Sequence, residues 1–228
     1  MNYSAIIPAG GTSSRYGARN KLLEPLNGIP LFLHAVMQFR KFCPDSSIVL
    51  PAHQSVMGQI KELLEEFCPG NSIVVVQGGI DRTRSVLNAM EALPRTVKLT
   101  AVHDAARPLI QAATIEKVYL AAEKYSAAAA ARPATNTLKM IDSNGLLTAG
   151  NVKREQIWEI ETPQTFRTEL LLHALRKTVS GNLSFTDDTA AVETFCGICA
   201  HPVIPDEINL KVTHFSDLAL AEALLRAR

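Results

Sequence analysis

The chain has 228 residues, 47% of them hydrophobic, and a formal net charge of +1 from 23 basic and 22 acidic side chains. That length and apolar content suit one domain with a sizeable core and argue against disorder. The balanced charge, with no long like-charge run, argues against general nucleic-acid or membrane-surface binding, so any anion site must be local.

No run of about 18 apolar residues occurs, and residues 1–8 read as a core strand rather than a charged segment followed by an apolar one. The expectation is an untargeted, soluble, cytoplasmic protein. Ala5-Ile6-Ile7 forms the first predicted strand and ends at Pro8, where Ala9-Gly10-Gly11-Thr12-Ser13-Ser14-Arg15-Tyr16-Gly17 opens a glycine-rich loop. Glycines let the backbone approach a phosphate, hydroxyls and N–H groups cradle its oxygens, and Arg15 and Lys21 add positive charge. The spacing is neither G-x-G-x-x-G nor G-x-x-x-x-G-K-[ST], which sets aside the dinucleotide fingerprint and the P-loop.

Asn27-Gly28 predicts a turn, and Pro30 opens a helix that runs to about Cys43. A strand follows over 47–50, an amphipathic helix over 56–67 ended by Pro69-Gly70-Asn71, and a third strand over 73–76. Gln77-Gly78-Gly79-Ile80-Asp81-Arg82-Thr83-Arg84-Ser85-Val86 comes next and leads into a helix over 85–93. A strand over 99–103 ends in Asp104-Ala105-Ala106-Arg107-Pro108. This alternation predicts an α/β fold, a doubly wound, mostly parallel Rossmann-like sheet whose ligands bind beyond the carboxyl ends of the strands. Three loops therefore converge on one edge.

A helix over 115–125 and an alanine-rich strand over 127–131 continue the pattern. From about 133 to 155 it changes: segments 135–141 and 145–153 flank Asp142-Ser143-Asn144-Gly145, a hairpin signal. A two-stranded arm cannot bury itself, so a second copy of the chain is the expected partner. Trp158 and Thr162-Pro163-Gln164 return the chain to the body, followed by a helix over 168–178, another with Thr186 as N-cap, a strand near Val203, and a C-terminal helix capped by Ser216. The whole chain, 1–228, reads as one domain with a dimerising arm. Cys43, Cys68, Cys196 and Cys199 contain only one C-x-x-C and lack a second ligand pair, so they read as free thiols.

Taken together, A-G-G-x-x-x-R with a following K, G-G-x-x-R-x-x-S-V, V-H-D-A-A-R-P, T-P-Q, T-D and K-V-T…D-L…A-E resemble the cytidylyltransferases acting on 2-C-methyl-D-erythritol 4-phosphate and ribitol 5-phosphate. The resemblance covers nearly the whole chain in order. It implies attack of an alditol phosphate on the α-phosphate of CTP, release of pyrophosphate, and Mg²⁺ bridging the phosphates. It also implies a nucleotidyltransferase fold and a homodimer, with methylerythritol phosphate as acceptor. Ribitol 5-phosphate is the alternative acceptor, and a CTP-binding regulatory homodimer the alternative without turnover.

By residue, the resemblance makes Arg15 and Lys21 the catalytic cations. It assigns Ala9, Gly10, Gly11, Gly79, Arg82, Ser85, Asp104 and Ala105 to the nucleotide. Arg107, Thr137, Arg154, Thr186 and Lys211 fall to the second substrate, with Thr137 and Arg154 reaching the partner's site, and no side chain is implied as a metal ligand. The chain departs from the family pattern at Ser13, at Asn20-Lys21-Leu22, at Asn136, and at Ile80, which removes a polar neighbour from the base pocket. Taken singly, Arg82, Arg107 and Lys211 would pass for structural cations, and His103 for a hydrogen-bonded structural histidine.

Overall fold

The computed structural model describes residues 2–10, 20–148 and 152–227. In chain order the elements are β1 (Tyr3–Ile6), β2 (Pro25–Leu26), β3 (Ile29–Pro30), α1 (Leu31–Phe39), β4 (Ile48–Ala52), α2 (Gln54–Phe67), β5 (Val74–Gln77), α3 (Arg82–Glu91) and β6 (Leu99–Val102). Then come α4 (Ala112–Tyr125), β7 (Ala127–Pro133), β8 (Met140–Ile141), β9 (Leu147–Thr148), β10 (Trp158–Arg167), α5 (Thr168–Ser180), α6 (Asp188–Cys196), β11 (His201–Val203) and α7 (Phe215–Arg226). The main sheet has the order β11-β7-β10-β6-β1-β4-β5.

β1 pairs in parallel with β4 on one side and β6 on the other, so the chain winds outward through β4 and β5 and then crosses back to β6. The winding reverses between β1 and β6, and the loops that leave their carboxyl ends flank the crevice where ligands of such sheets bind. Alternate residues face opposite layers. Ala5, Ile48, Leu50, Ala101, Ala128 and Ala130 join the core under α1, α2, α4 and α7, whereas Ile6, Val49, Val102 and Phe166 join the core under α3, α5 and α6.

The expected parallel alternation is present, and several local readings change. Pro30 does not open α1 but ends a short hairpin. Asn27 and Gly28, with φ of 50° and 79°, form the turn, and the helix stops at Phe39 rather than Cys43. α3 begins at Arg82, not Ser85, because the Asp81 carboxylate caps it by accepting from Arg84 N at 2.7 Å. Asp187, not Thr186, caps α6 through Ala190 N. α7 is entered at His214, not Ser216, where Asp217 accepts from the backbone N–H of Thr213 and His214 at 2.7 Å each.

The largest departure is β10, a ten-residue strand that lies antiparallel between β6 and β7 where only a return to the body is expected. Its register shifts between Ile160 and Gln164, and Pro163 follows a cis peptide bond within that irregularity. A proline is tolerated in a central strand where the ladder is already interrupted. On its far side β7 holds five alanines in succession, all buried, because neighbouring strands and helices cover both faces. Tertiary packing there overrides alanine's helix propensity. Among the described residues, segments 135–141 and 145–153 keep only the two-residue strands β8 and β9 as hairpin pairing. Residues 149–151 of that expected second segment lie outside the described residues.

Phe166 is fully buried in the layer beneath α5 and α6. Phe166→Ala should therefore cost about 3–5 kcal/mol, read as a lower urea midpoint with an unchanged slope.

Candidate functional site

Three loop starts lie side by side at the carboxyl edge of the sheet. Ala9 N donates to Pro51 O at 2.8 Å, Gly78 N to Ala52 O at 2.8 Å, and His103 N to Ile6 O at 2.9 Å. Ala9 and Ala105 are buried beneath this edge. Gly11 and Arg15, together with Ser13, lie outside the described residues. Lys21 opens a short turn capped by Asn20, and its Nζ donates to Val212 O at 2.8 Å, which brings it beside Lys211.

The Gly78-Gly79 loop is closed by Ser85 from the first turn of α3. Ser85 Oγ accepts from Gly79 N at 3.0 Å and donates to Asp81 O at 2.7 Å. A Cβ on Gly79 would run into Arg84 Cβ and come within 2.8 Å of the Arg84 carbonyl carbon, so the fold itself requires glycine there. Gly10 differs: among the described residues a Cβ would meet only ordinary contacts, the nearest being His53 N at 3.6 Å. Ile80 is 89% exposed, and the acidic residue of this loop stands one place later as the α3 cap.

Asp104 is the centre of the site. Lys211 Nζ lies 2.8 Å from Asp104 Oδ2 and Arg107 Nε lies 3.6 Å from it, while the Asp104 N–H donates to Thr162 Oγ1 at 3.0 Å. Burial pushes the Asp104 carboxyl up, but Lys211, Arg82 and Arg107 together outweigh it and hold it at about 2. Arg82 Nη1 lies 2.7 Å from Oδ2 of the buried Asp188, forming an ion pair with it. Burial works against the Arg82 charge, and Asp188 and Asp104 more than restore it. For Asp188, burial pushes the carboxyl up and Arg82 pulls it only part of the way back, so it stays above its ordinary value.

Arg107 is less available than a free cation. Its Nη1 donates to Asn209 O at 2.7 Å, its side chain is 12% exposed, and its Nε has no hydrogen-bond partner. His103 is fully buried, with Nε2 3.2 Å from Arg107 O and Nδ1 3.1 Å from Thr162 Oγ1. Burial pushes its pKa down to about 4, so it sits neutral as a strut of the loop.

Thr137 and Arg154 stand apart from this cluster. Both are exposed, and Arg154 Nη1 donates to Thr135 O at 3.2 Å within the arm. Thr186 is exposed just before the α6 cap, whose Asp187 Oδ2 accepts from Gln164 Nε2 and Thr189 Oγ1. Glu161 and Asn209, which tie this network together, carry no motif of their own, although Asn209 lies two residues before Lys211. The four cysteines are free thiols. A cavity of about 1220 Å³ opens at the other end of the sheet, lined by Tyr3, Leu99 and Arg167, and holds none of the residues just described. Among the described residues no group of three His, Cys, Asp or Glu side chains could hold a metal ion, and no helix is long and apolar enough to cross a membrane.

The profile of the family described as IspD: 2-C-methyl-D-erythritol 4-phosphate cytidylyltransferase matches residues 3–227. The chain belongs to this family. It is 33% identical over 227 residues to the 2-C-methyl-D-erythritol 4-phosphate cytidylyltransferase of Bacillus mycoides, covering 99% of both chains. It is 34% identical to a bifunctional IspD/IspF enzyme of Desulfotalea psychrophila, of whose length it spans 58%. The crystal structure of the Thermus thermophilus family member superposes with a TM-score of 0.80 at 28% identity, covering 99% of this chain and 100% of that one. The Francisella tularensis family structure gives 0.81 at 28% identity, with 98% and 100% covered. The fold is thus the α/β nucleotidyltransferase fold of the family.

The two glycines should respond differently to a methyl group. Gly79→Ala should lower stability by about 1–3 kcal/mol, whereas Gly10→Ala should stay within about 0.5 kcal/mol, both by urea titration. His103 is neutral when folded and protonates in the unfolded chain below about pH 6.5. Its contribution is therefore present above that pH and is lost as pH falls toward 4. Linkage predicts a loss of about 2 kcal/mol between pH 7.5 and 5.0, which the non-titrating His103→Gln should lack; equal pH slopes in the two proteins would contradict this.

Proposed function

We propose that the chain transfers the cytidylyl group of CTP to 2-C-methyl-D-erythritol 4-phosphate, giving the CDP-alditol and pyrophosphate. The observation that carries the reading is the set of cations that meets Asp104 at the switch point of a sheet whose family profile spans residues 3–227. An oxygen of the acceptor phosphate attacks the α-phosphorus while the bond to pyrophosphate breaks. Little covalent chemistry is required of the protein, so positioning and charge neutralisation carry the rate.

In this reading Arg15 and Lys21 stabilise charge developing on the α-phosphate. The loop of Ala9, Gly10 and Gly11, with Gly79 and Ser85, receives the nucleotide, and Arg82, Asp104 and Ala105 line its ribose and phosphate side. Because the described residues around Gly10 leave space for a Cβ, its glycine is read as room for the nucleotide. Arg107, Thr186 and Lys211 aim the acceptor phosphate.

Mg²⁺ would arrive with CTP, and Asp104 is the carboxylate at this edge that would help to hold it. One carboxylate plus substrate phosphates suits this ion, and the paired state of Asp104 supports a metal that arrives with the nucleotide. When bound, such an ion would supply charge neutralisation for the phosphates.

The active form is a homodimer. Met140, Ile141, Leu146 and Leu147 leave the hairpin strongly exposed, between 56% and 76%, which supports a second copy as its cover. Thr137 and Arg154 then act in the partner's site. The enzyme works in the cytoplasm.

Pyrophosphate release with CTP, Mg²⁺ and methylerythritol 4-phosphate tests this reading, with ribitol 5-phosphate in a parallel reaction. Lys21→Ala and Arg15→Ala should each lower kcat by about a hundredfold or more, as loss of a transition-state contact does. Near-full turnover in both variants would rule the mechanism out.

A further inference from the structure

Glu161 lies in β10 and is 8% exposed. Its Oε1 accepts from Arg132 Nε at 2.5 Å, and its Oε2 accepts from Asn209 Nδ2 at 2.9 Å and lies 4.0 Å from Arg107 Nη1. The same Asn209 amide donates to Thr162 O at 2.8 Å, and the Asn209 carbonyl accepts from Arg107. Arg132 also donates to Glu207 O at 3.0 Å. One buried carboxylate thus fastens the segment that carries Lys211 to the end of β7, where the arm departs, and to the loop that carries Asp104.

We infer that Glu161 is a positioning residue that keeps Arg107 off Asp104, so that Lys211 holds that carboxylate and stands ready for the acceptor phosphate. The inference rests on the reading of Arg107 and Lys211 as acceptor-site cations. Its physical basis is a competition. Among the described residues, Asp104 Oδ2 pairs with two cations, Lys211 at 2.8 Å and Arg107 at 3.6 Å, and Arg107 remains at the longer distance while Glu161 and Asn209 O share its guanidinium. Arg107 and Arg132 are both partly buried, so each needs a nearby negative charge. If Glu161 loses its charge, the pull on Arg107 from that side is gone and Asp104, already the nearer carboxylate, is left to attract it alone; Arg107 closes on Asp104 and displaces Lys211. Asn209 keeps an oxygen acceptor, so the segment remains attached while the cation order changes.

The test is Glu161→Gln in the full chain, with steady-state kinetics for both substrates and far-UV circular dichroism as a check on folding. The expected result is a rise of about tenfold or more in KM for methylerythritol 4-phosphate, with KM for CTP within about twofold of wild type. Because Glu161 acts through Lys211, adding E161Q to Lys211→Ala should cost less than about twofold further. Where turnover is too slow, acceptor affinity measured by calorimetry with a non-hydrolysable CTP analogue replaces KM. If E161Q is unstable, the double variant E161Q/R132Q also removes the guanidinium that E161Q strips of its carboxylate, and it should show the same rise.

A merely structural role would lower kcat through lost active protein and leave both KM values alone. That result, or full additivity with K211A, would overturn the inference. An unchanged acceptor KM in K211A by itself would overturn the acceptor-site reading and the inference with it.

Discussion

Several cations gathered at one sheet edge repel one another, and a protein that assembles them before its anionic ligand arrives must supply internal counter-charge. Here Asp104 sits against Lys211 and Arg107, Asp188 against Arg82, and Glu161 against Arg132 with Arg107 nearby. Each carboxylate comes from a different stretch of chain: the loop after β6, the start of α6, and β10. The site is thereby a meeting of long-range ion pairs, and its geometry depends on the whole sheet being formed. Such pairs are expensive to bury and more expensive to break, which suits an arrangement that must stay in place without ligand. In the proposed function, the substrates' phosphates outcompete these carboxylates for the cations.

Much of this is legible in the sequence for identifiable reasons. β-branched and apolar runs separated by amphipathic helices announce the parallel half of the sheet, because buried parallel strands need apolar residues on both faces. The glycine loop and the strand-end Asp104-Ala105-Ala106-Arg107-Pro108 announce where the ligand edge lies. The strand β10 is hidden because its buried half, Glu161 to Phe166, carries glutamate, threonines, proline and glutamine where a core strand ordinarily carries aliphatics. Of those polar groups, all but the Thr165 hydroxyl are bonded: Thr162 to Asp104 and His103, Gln164 to Asp187 and the Asp188 N–H, Glu161 to Arg132 and Asn209. Local pattern reads such a stretch as loop, and only tertiary contact makes it a strand.

Helix starts escape the local pattern for a related reason. Thr186 and Ser216 each have the right chemistry for a cap, but Asp187 and the His214–Asp217 pair lie one or two residues away and bond more backbone groups. At Arg107 both descriptions hold: its bonds to Asn209 and its approach to Asp104 make it structural, and they also leave it at the mouth of the site. The distinction between a structural and a ligand-binding cation is therefore weak here.

The placement of β10 also constrains how the molecule is made. The parallel half of the sheet, through β6, is complete in sequence by Val102, and β7 has emerged by Pro133, but the strand that joins them ends at Arg167. A chain emerging from the ribosome therefore presents two unpaired strand edges with a one-strand gap between them until that segment is synthesised. Open edges of this kind are where nascent chains find wrong partners. During that interval the polar character of β10 has a second benefit: an unpaired segment rich in glutamate, threonine and glutamine stays hydrated until the gap is ready to receive it.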